Sequence, residues 1–226
     1  MDVFVSWSGG KDCCLACYRA IKSGHNVRYL STMIMKDINR MHPHHFRPEL
    51  IDLQAEAIGI PLMKRWAEVS EYKARFIDML RDLKKEGITA GVFGDVSVGN
   101  SDSEEHINWI ESVCQPAGIE IILPLWNQDR ESLIRDVIDK GFEAVIIAAD
   151  KKYLGPSWLG RKLDNELLSE LKTRYDNSHD GKVGYYHTLV LDGPIFKKRL
   201  HIAEADVVLQ GPIWFLDITK IKCLNK

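Results

Sequence analysis

The sequence predicts an α/β fold: a parallel sheet covered by helices, followed by a smaller C-terminal α+β domain. Short apolar runs alternate with helical stretches from the N-terminus to about Leu125, and parallel neighbours need crossovers of that length. Gly87, Gly118 and Gly141 each fall just past a helical run, where a left-handed C-terminal cap favours glycine.

A first strand spans Asp2–Ser6 and a first helix Asp12–Lys22. A strand over Val27–Met35, a helix over Pro48–Ile58 and a short strand over Pro61–Trp66 come next. The helix Glu71–Glu86 carries Phe76, Met79, Leu80 and Leu83 at helical spacing. It leads to the strand Thr89–Phe93, the helix Ser103–Ala117 and the strand Glu120–Pro124. Beyond Trp126 the texture changes. One more helix (Asp129–Lys140) and strand (Phe142–Ala149) precede a loop with YLGPSWLGR, a short helix near Asp164–Arg174, and strand-like segments at His187–Leu191, Arg199–Leu209 and Ile213–Ile218. A boundary near Leu125 divides the chain into a domain over 1–125 and a second over 126–226.

With 226 residues, 45% of them hydrophobic, the chain can bury a core without disulfide staples. Its 30 Lys and Arg against 32 Asp and Glu leave a formal charge of −2, which argues against a nucleic-acid binder held by phosphate neutralisation. Five cysteines, three of them crowded at Cys13, Cys14 and Cys17, read as reduced thiols of a cytoplasmic protein. No apolar run approaches the roughly 18 residues of a membrane helix, and the N-terminus lacks a basic stretch before a long apolar one. No membrane partner is expected. The oligomeric state is not written in the sequence, which leaves a homodimer open.

The stretch SWSGGKDCC (Ser6–Cys14) stands directly after an apolar strand and before a helix. Such a turn points backbone N–H groups and the positive end of the helix dipole at its contents, which suits an anion. Ser8 adds a hydroxyl, Gly9 and Gly10 let the backbone approach a ligand, and Lys11 adds a cation for phosphate. Asp12 is placed to hold a divalent metal or to cap the helix. The bland alternative is an ordinary turn with Asp12 as N-cap. The Walker pattern is absent, since Lys11 follows adjacent glycines and precedes Asp12.

The string S-G-G-K-D in this setting resembles the signature of the N-type ATP pyrophosphatases, or PP-loop superfamily, whose loop grips the pyrophosphate of ATP. Further matches run along the chain: DLQAEAIGIPL (Asp52–Leu62), VFGDV (Val92–Val96) before a helix bearing His106 and Trp109, PLW (Pro124–Trp126), SWLGRKLD (Ser157–Asp164) and YHTLVLDGPIF (Tyr186–Phe196). Together they resemble the diphthine–ammonia ligase family and its relatives over nearly the whole chain.

The resemblance implies a Rossmann-like nucleotide-binding domain of the HUP type, contacting ATP through Ser6, Ser8, Gly9, Gly10, Lys11, Asp12, His44, Gly94 and Asp95. It implies a C-terminal part that shapes the acceptor pocket with Trp158, Gly160, Arg161, Gly184, Tyr186, His187 and Thr188. Catalysis falls to Lys11 and Asp12, with ATP and Mg²⁺ as cofactors and Asp12 as the metal ligand. The implied reaction adenylates a carboxylate, diphthine on elongation factor 2, and ammonia then displaces AMP.

One departure bears on the acceptor. Where the family's C-terminal signature carries two glutamates, this chain has Lys182 and Tyr185. His187 stands where relatives outside the diphthine enzymes also have histidine, some of them linked to cobalamin metabolism. A site altered this way is expected to prefer a different or more anionic acceptor, or to lose catalysis.

Other features keep two readings each. Cys13, Cys14 and Cys17 pack a helix on the sheet, or serve a metal, redox or sulfur-transfer role through the C-x-x-C of Cys14 and Cys17. In HPHHF, His44 contacts ATP by resemblance, or belongs to a solvent-facing or zinc-binding loop. Gly94 and Asp95 lie at the carboxyl edge of a parallel sheet, where ligands bind; Asp102 or Ser103 reads as a helix N-cap. Trp158 and Arg161 are a stacking surface and an anion-binding cation, or a packed Trp with a surface Arg. Lys197, Lys198 and Arg199 read as a solvated strand end. Three functions compete: an amide ligase using free ammonia, a sulfur-transferring enzyme, and a nucleotide-binding module without chemistry.

Overall fold

The computed structural model describes residues 1–37, 40–41, 47–96, 101–176 and 186–226. The chain runs β1 (Asp2–Ser6), α1 (Lys11–Lys22), β2 (Asn26–Met35), β3 (Arg40–Met41), α2 (Pro48–Ile58), β4 (Leu62–Ala67), α3 (Tyr72–Lys85), β5 (Ala90–Val92), α4 (Ser101–Cys114) and β6 (Glu120–Ile122). It continues with α5 (Arg130–Asp139), β7 (Glu143–Asp150), a helical turn Pro156–Trp158, α6 (Asn165–Asp176), β8 (Tyr186–Asp192), β9 (Lys198–Gln210) and β10 (Ile213–Asn225). No helix among the described residues is long and apolar enough to cross a membrane.

β4, β2, β1, β5 and β6 pair in that order, every pair parallel, and the two-residue β3 adds to the end of β2 in antiparallel sense. The predicted α/β class holds. A second sheet, ordered β8-β7-β10-β9, is antiparallel throughout. Reading β3 as loop follows from its length, since two residues carry no alternation.

Strand alternation in β1 sends Val3 and Val5 to one face and Phe4 to the other. Phe4 enters a layer with Phe76, Met79, Leu80 and Leu83 of α3 and Ile110 and Val113 of α4. Val3 and Val5 join Cys13, Cys14 and Cys17 of α1, Leu50 and Ile51 of α2, and Ala144, Ile146, Leu189 and Val190 of the second sheet. This single cluster spans both sheets, because α1 touches β1, β2 and β5 on one side and β8 on the other.

Arg19 fixes how α1 meets α5. Its guanidinium donates to the Pro124 carbonyl at 2.9 Å, to Gln128 Oε1 at 2.8 Å and to Asp136 Oδ2 at 2.8 Å. Tyr18 adds an edge-on contact to Phe142, just past α5. Asp129 caps α5, its carboxylate accepting from the Ser132 amide at 2.8 Å.

Candidate active site

From β1 the chain proceeds outward through β2 to β4, whereas β5 and β6 lie on the other side of β1. The order of the sheet reverses between β1 and β5, and open α/β sheets bind ligands at the carboxyl ends of strands at such a point. Two loops leave there: Trp7–Gly10 after β1, and Phe93–Val96 after β5.

Both loops use glycine for space. Gly9 has φ +78°, and a Cβ there would fall 2.5 Å from Gln54 Oε1 and 2.8 Å from Ile51 Cδ1. Gly94 sits against the first turn of α1, where a Cβ would meet the Cys13 nitrogen at 2.8 Å and the Asp12 carbonyl carbon at 2.9 Å.

The helix begins at Lys11 with Gly10 as N-cap, so Asp12 lies inside the first turn and is not the cap. Glycine offers no side chain to the exposed N–H groups, and a distant strand supplies one: Thr188 Oγ1 on β8 accepts from the Lys11 amide at 3.0 Å. The Gly9 carbonyl accepts from the Val190 amide and from Gln54 Nε2, each at 3.0 Å. β8 is thus laid along the loop. Replacing Thr188 with Val takes the acceptor away from this part-buried amide. We expect Thr188→Val to cost about 1–2 kcal/mol in denaturant unfolding, with Thr188→Ser close to the parent protein.

The Lys11 ammonium lies 2.8 Å from Asp12 Oδ2 and 5.5 Å from the centre of the Tyr186 ring. Burial is the largest influence and pulls its pKa down, but the charge of Asp12, the neighbouring Tyr186 and the hydrogen bond to Asp12 together outweigh it and lift the pKa above the ordinary lysine value. Lys11 therefore stays a cation at neutral pH. The Tyr186 hydroxyl is buried and has no hydrogen-bond partner among the described residues. Burial raises its pKa, so it remains a neutral phenol with an unused donor.

Sequence reasoning missed Arg130. It is the first residue of α5, exposed, and close enough for its charge to oppose that of Lys11 and to favour ionisation of Tyr186. No ion pair engages it among the described residues. A cation in the first turn of a helix runs against the macrodipole, and that misfit is the signal the sequence offered.

Ser6 ends β1 opposite Ser31. The Ser8 hydroxyl is turned to Cys13 Sγ at 3.5 Å, and the Cys13 thiol donates to the Gly10 carbonyl at 3.2 Å. Burial alone would push the Cys13 thiol up, yet hydrogen bonds from Cys14, from the Ser8 side chain and from the Ser8 and Gly9 backbone hold it below the ordinary value. Burial pushes Cys14 and Cys17 well up, and Cys114 to about 12. All five cysteines are free, four of them buried. Asp95 Oδ1 lies 3.1 Å from Nδ1 of His106. α4 begins at Ser101, ahead of the cap expected at Asp102 or Ser103. His44, Lys182, Gly184 and Tyr185 lie outside the described residues.

Four of the expected acceptor residues, Trp158, Gly160, Arg161 and His187, lie away from the loop. Trp158 is only 4% exposed and belongs to the core, and the face expected for stacking is covered by the Arg161 guanidinium, 4.8 Å from the ring centre. Arg161 is itself engaged by Glu170 through two bonds of 2.8 and 2.5 Å. Gly160 and Arg161 bond to Ile146 of β7, on the side of that strand away from Thr188. Alternation along β8 gives Tyr186 and Thr188 the face toward Lys11 and turns His187 to the opposite one. The structure therefore gathers Gly9, Lys11, Asp12, Gly94, Tyr186 and Thr188, and leaves Trp158, Gly160, Arg161 and His187 apart from them.

Among the described residues no group of three His, Cys, Asp or Glu side chains is placed to hold a metal ion. A phosphate site is better furnished: a glycine-bent loop at a helix N-terminus, a fixed lysine and an unused hydroxyl donor.

A phosphate loop after the first strand of a parallel sheet, closed by a strand of a second sheet, defines an α/β nucleotide-binding protein. The chain belongs to the diphthamide synthase family. Residues 1–121 match the model of the diphthamide synthase N-terminal domain, and residues 129–224 that of the C-terminal domain. A diphthine–ammonia ligase of Danio rerio is 30% identical, the match covering 97% of this chain and 95% of that protein. The Homo sapiens diphthine–ammonia ligase is 28% identical over 100% of this chain and 91% of its own length. Among solved structures, a predicted subunit of tRNA methyltransferase from Methanocaldococcus jannaschii is similar at 21% identity and a TM-score of 0.44, covering 84% of this chain and 96% of that one.

Proposed function

We propose that this chain is an ATP-dependent amide ligase that adenylates the carboxylate of diphthine and amidates it with ammonia. The observation that carries the reading is the loop of Gly9 and Gly10 with Lys11 fixed at its helix, in a chain of the diphthamide synthase family whose relatives bear the name diphthine–ammonia ligase. In this reading residues 1–125 bind ATP and 126–226 receive the acceptor.

An acceptor carboxylate oxygen attacks the α-phosphorus of ATP, and the bond to the bridging oxygen breaks with its electrons leaving on pyrophosphate. Ammonia then adds to the acyl carbon, AMP departs, and a proton is lost to give the amide. Lys11 takes part as a permanent cation, stabilising charge on the leaving phosphates, and its raised pKa makes it a poor base. The N-terminus of α1 adds the positive end of a dipole, Tyr186 a neutral O–H donor, and Arg130 a second positive charge. Asp12, partly exposed beside Lys11, is the carboxylate we assign to Mg²⁺, which supplies charge neutralisation on pyrophosphate when bound with ATP.

Supplying ATP, Mg²⁺, ammonium and elongation factor 2 bearing diphthine tests this. AMP and pyrophosphate in equal amounts, with amide formed on the acceptor, are expected; ADP and phosphate would overturn the adenylation. In the same assay Arg130→Ala is expected to slow pyrophosphate release about three- to tenfold, the scale of one accessible charged contact.

A second reading keeps the ATP half and changes the acceptor. Lys182 and Tyr185 stand where the family signature has glutamates, a swing of charge that favours a more anionic acceptor. Amidation of such an acid, with diphthine left untouched, would select it.

A further inference from the structure

Gln54, on α2, is fully buried and takes no part in the chemistry above. An amide in the core is costly unless its hydrogen bonds are made, and a Leu would fill similar space without that demand. Gln54 makes three. Its oxygen accepts from Trp7 Nε1 at 3.1 Å, and its nitrogen donates to the Gly9 carbonyl at 3.0 Å and to the Val190 carbonyl at 2.7 Å. Those partners lie at both ends of the loop after β1, at Trp7 and Gly9, and on β8. The contact is close on the loop side, since a Cβ on Gly9 would meet the amide oxygen at 2.5 Å. β8 reinforces it, because the Val190 amide donates to the Gly9 carbonyl that Gln54 holds.

We propose that Gln54 is a positioning residue for the phosphate loop: by clamping the Gly9 peptide between Trp7 and β8, it sets the path of Gly9 to Lys11 and couples ATP affinity to the seating of β8. The proposal rests on the reading that this loop binds ATP. Fixing one peptide fixes the direction of the N–H groups on either side of it, which are the groups a phosphate meets. The same side chain holds β8, whose Tyr186 and Thr188 face Lys11, so loop and strand are set together.

The test uses the whole chain and two variants, with ATP titrated by calorimetry and β8 followed by amide hydrogen exchange. Gln54→Leu removes all three bonds. Gln54→Glu keeps the shape and the bond from Trp7 but turns a carboxylate on two carbonyls. In the folded protein, ATP binding is expected to weaken about 10- to 100-fold in either variant, with faster exchange at Val190. Lowering the pH should return part of the affinity to Gln54→Glu alone, since the protonated acid regains one donor. A purely structural Gln54 would lower the melting temperature and leave ATP affinity and its pH profile as in the parent protein; that result overturns the proposal. If Gln54→Leu does not fold, Gln54→Glu decides, and Trp7→Phe, which frees only the third anchor, is expected to weaken ATP about threefold. Failure of the parent chain to bind ATP would instead sink the reading on which this rests.

Discussion

Lys11→Ala is expected to reduce pyrophosphate release by about a hundredfold or more, because charge-assisted contacts to phosphate contribute about 1.5–3 kcal/mol each and lysine brings several donors to one site. The loss should fall mainly on ATP binding and leave the fold intact. The Lys11 amide, which caps α1 through Thr188, survives the substitution, and Asp12, part exposed, loses its partner without being stranded in the core. Lys11→Arg keeps the charge but not the shape, and should recover little in a pocket roofed by the Tyr186 ring. Titration of ATP alongside thermal unfolding separates the two effects; unchanged pyrophosphate release in Lys11→Ala would remove the loop from the mechanism.

Gly94→Ala is the second large effect. A methyl group there would press on backbone atoms of Asp12 and Cys13 at 2.8–2.9 Å, and a helix backbone cannot step aside as a flexible side chain does. Either the β5 loop backs away or the first turn of α1 tilts, and both spoil the crevice between β1 and β5. A stability loss of about 1–3 kcal/mol is expected, together with weaker ATP binding than that loss alone would give. Parent-like affinity in Gly94→Ala would mean that the two loops are independent.

Much of the fold was legible. β1 and α2 begin and end where the sequence puts them, because an apolar run ends at a polar turn in one case, and Pro48 opens and left-handed Gly59 closes the helix in the other. β10 runs on to Asn225, past the expected end at Ile218: its register shifts around Lys220, which interrupts the pattern, and Ile221 and Cys223 then pack against the core again while pairing with β9 continues.

The site was legible where it is local. Ser8 to Asp12 is one stretch of chain, and its glycines announce a turn. Gln54 is visible only once folding brings α2 beside the loop, and Arg130, though a misplaced cation in a helix's first turn, is tied to the loop only by the fold; no spacing in the sequence encodes either neighbourhood. Arg161 shows the converse: its setting in SWLGR suggests an anion site, and only the fold shows that Glu170 on α6 pairs with its fork.

The bond from the Lys11 amide to Thr188 also says something about time. Its two ends lie 177 positions apart. The first turn of α1 therefore has its acceptor only once a strand far along the chain is in place. Closing a loop of that length is slow, so this contact is expected to form late in folding, after the bonds within α1.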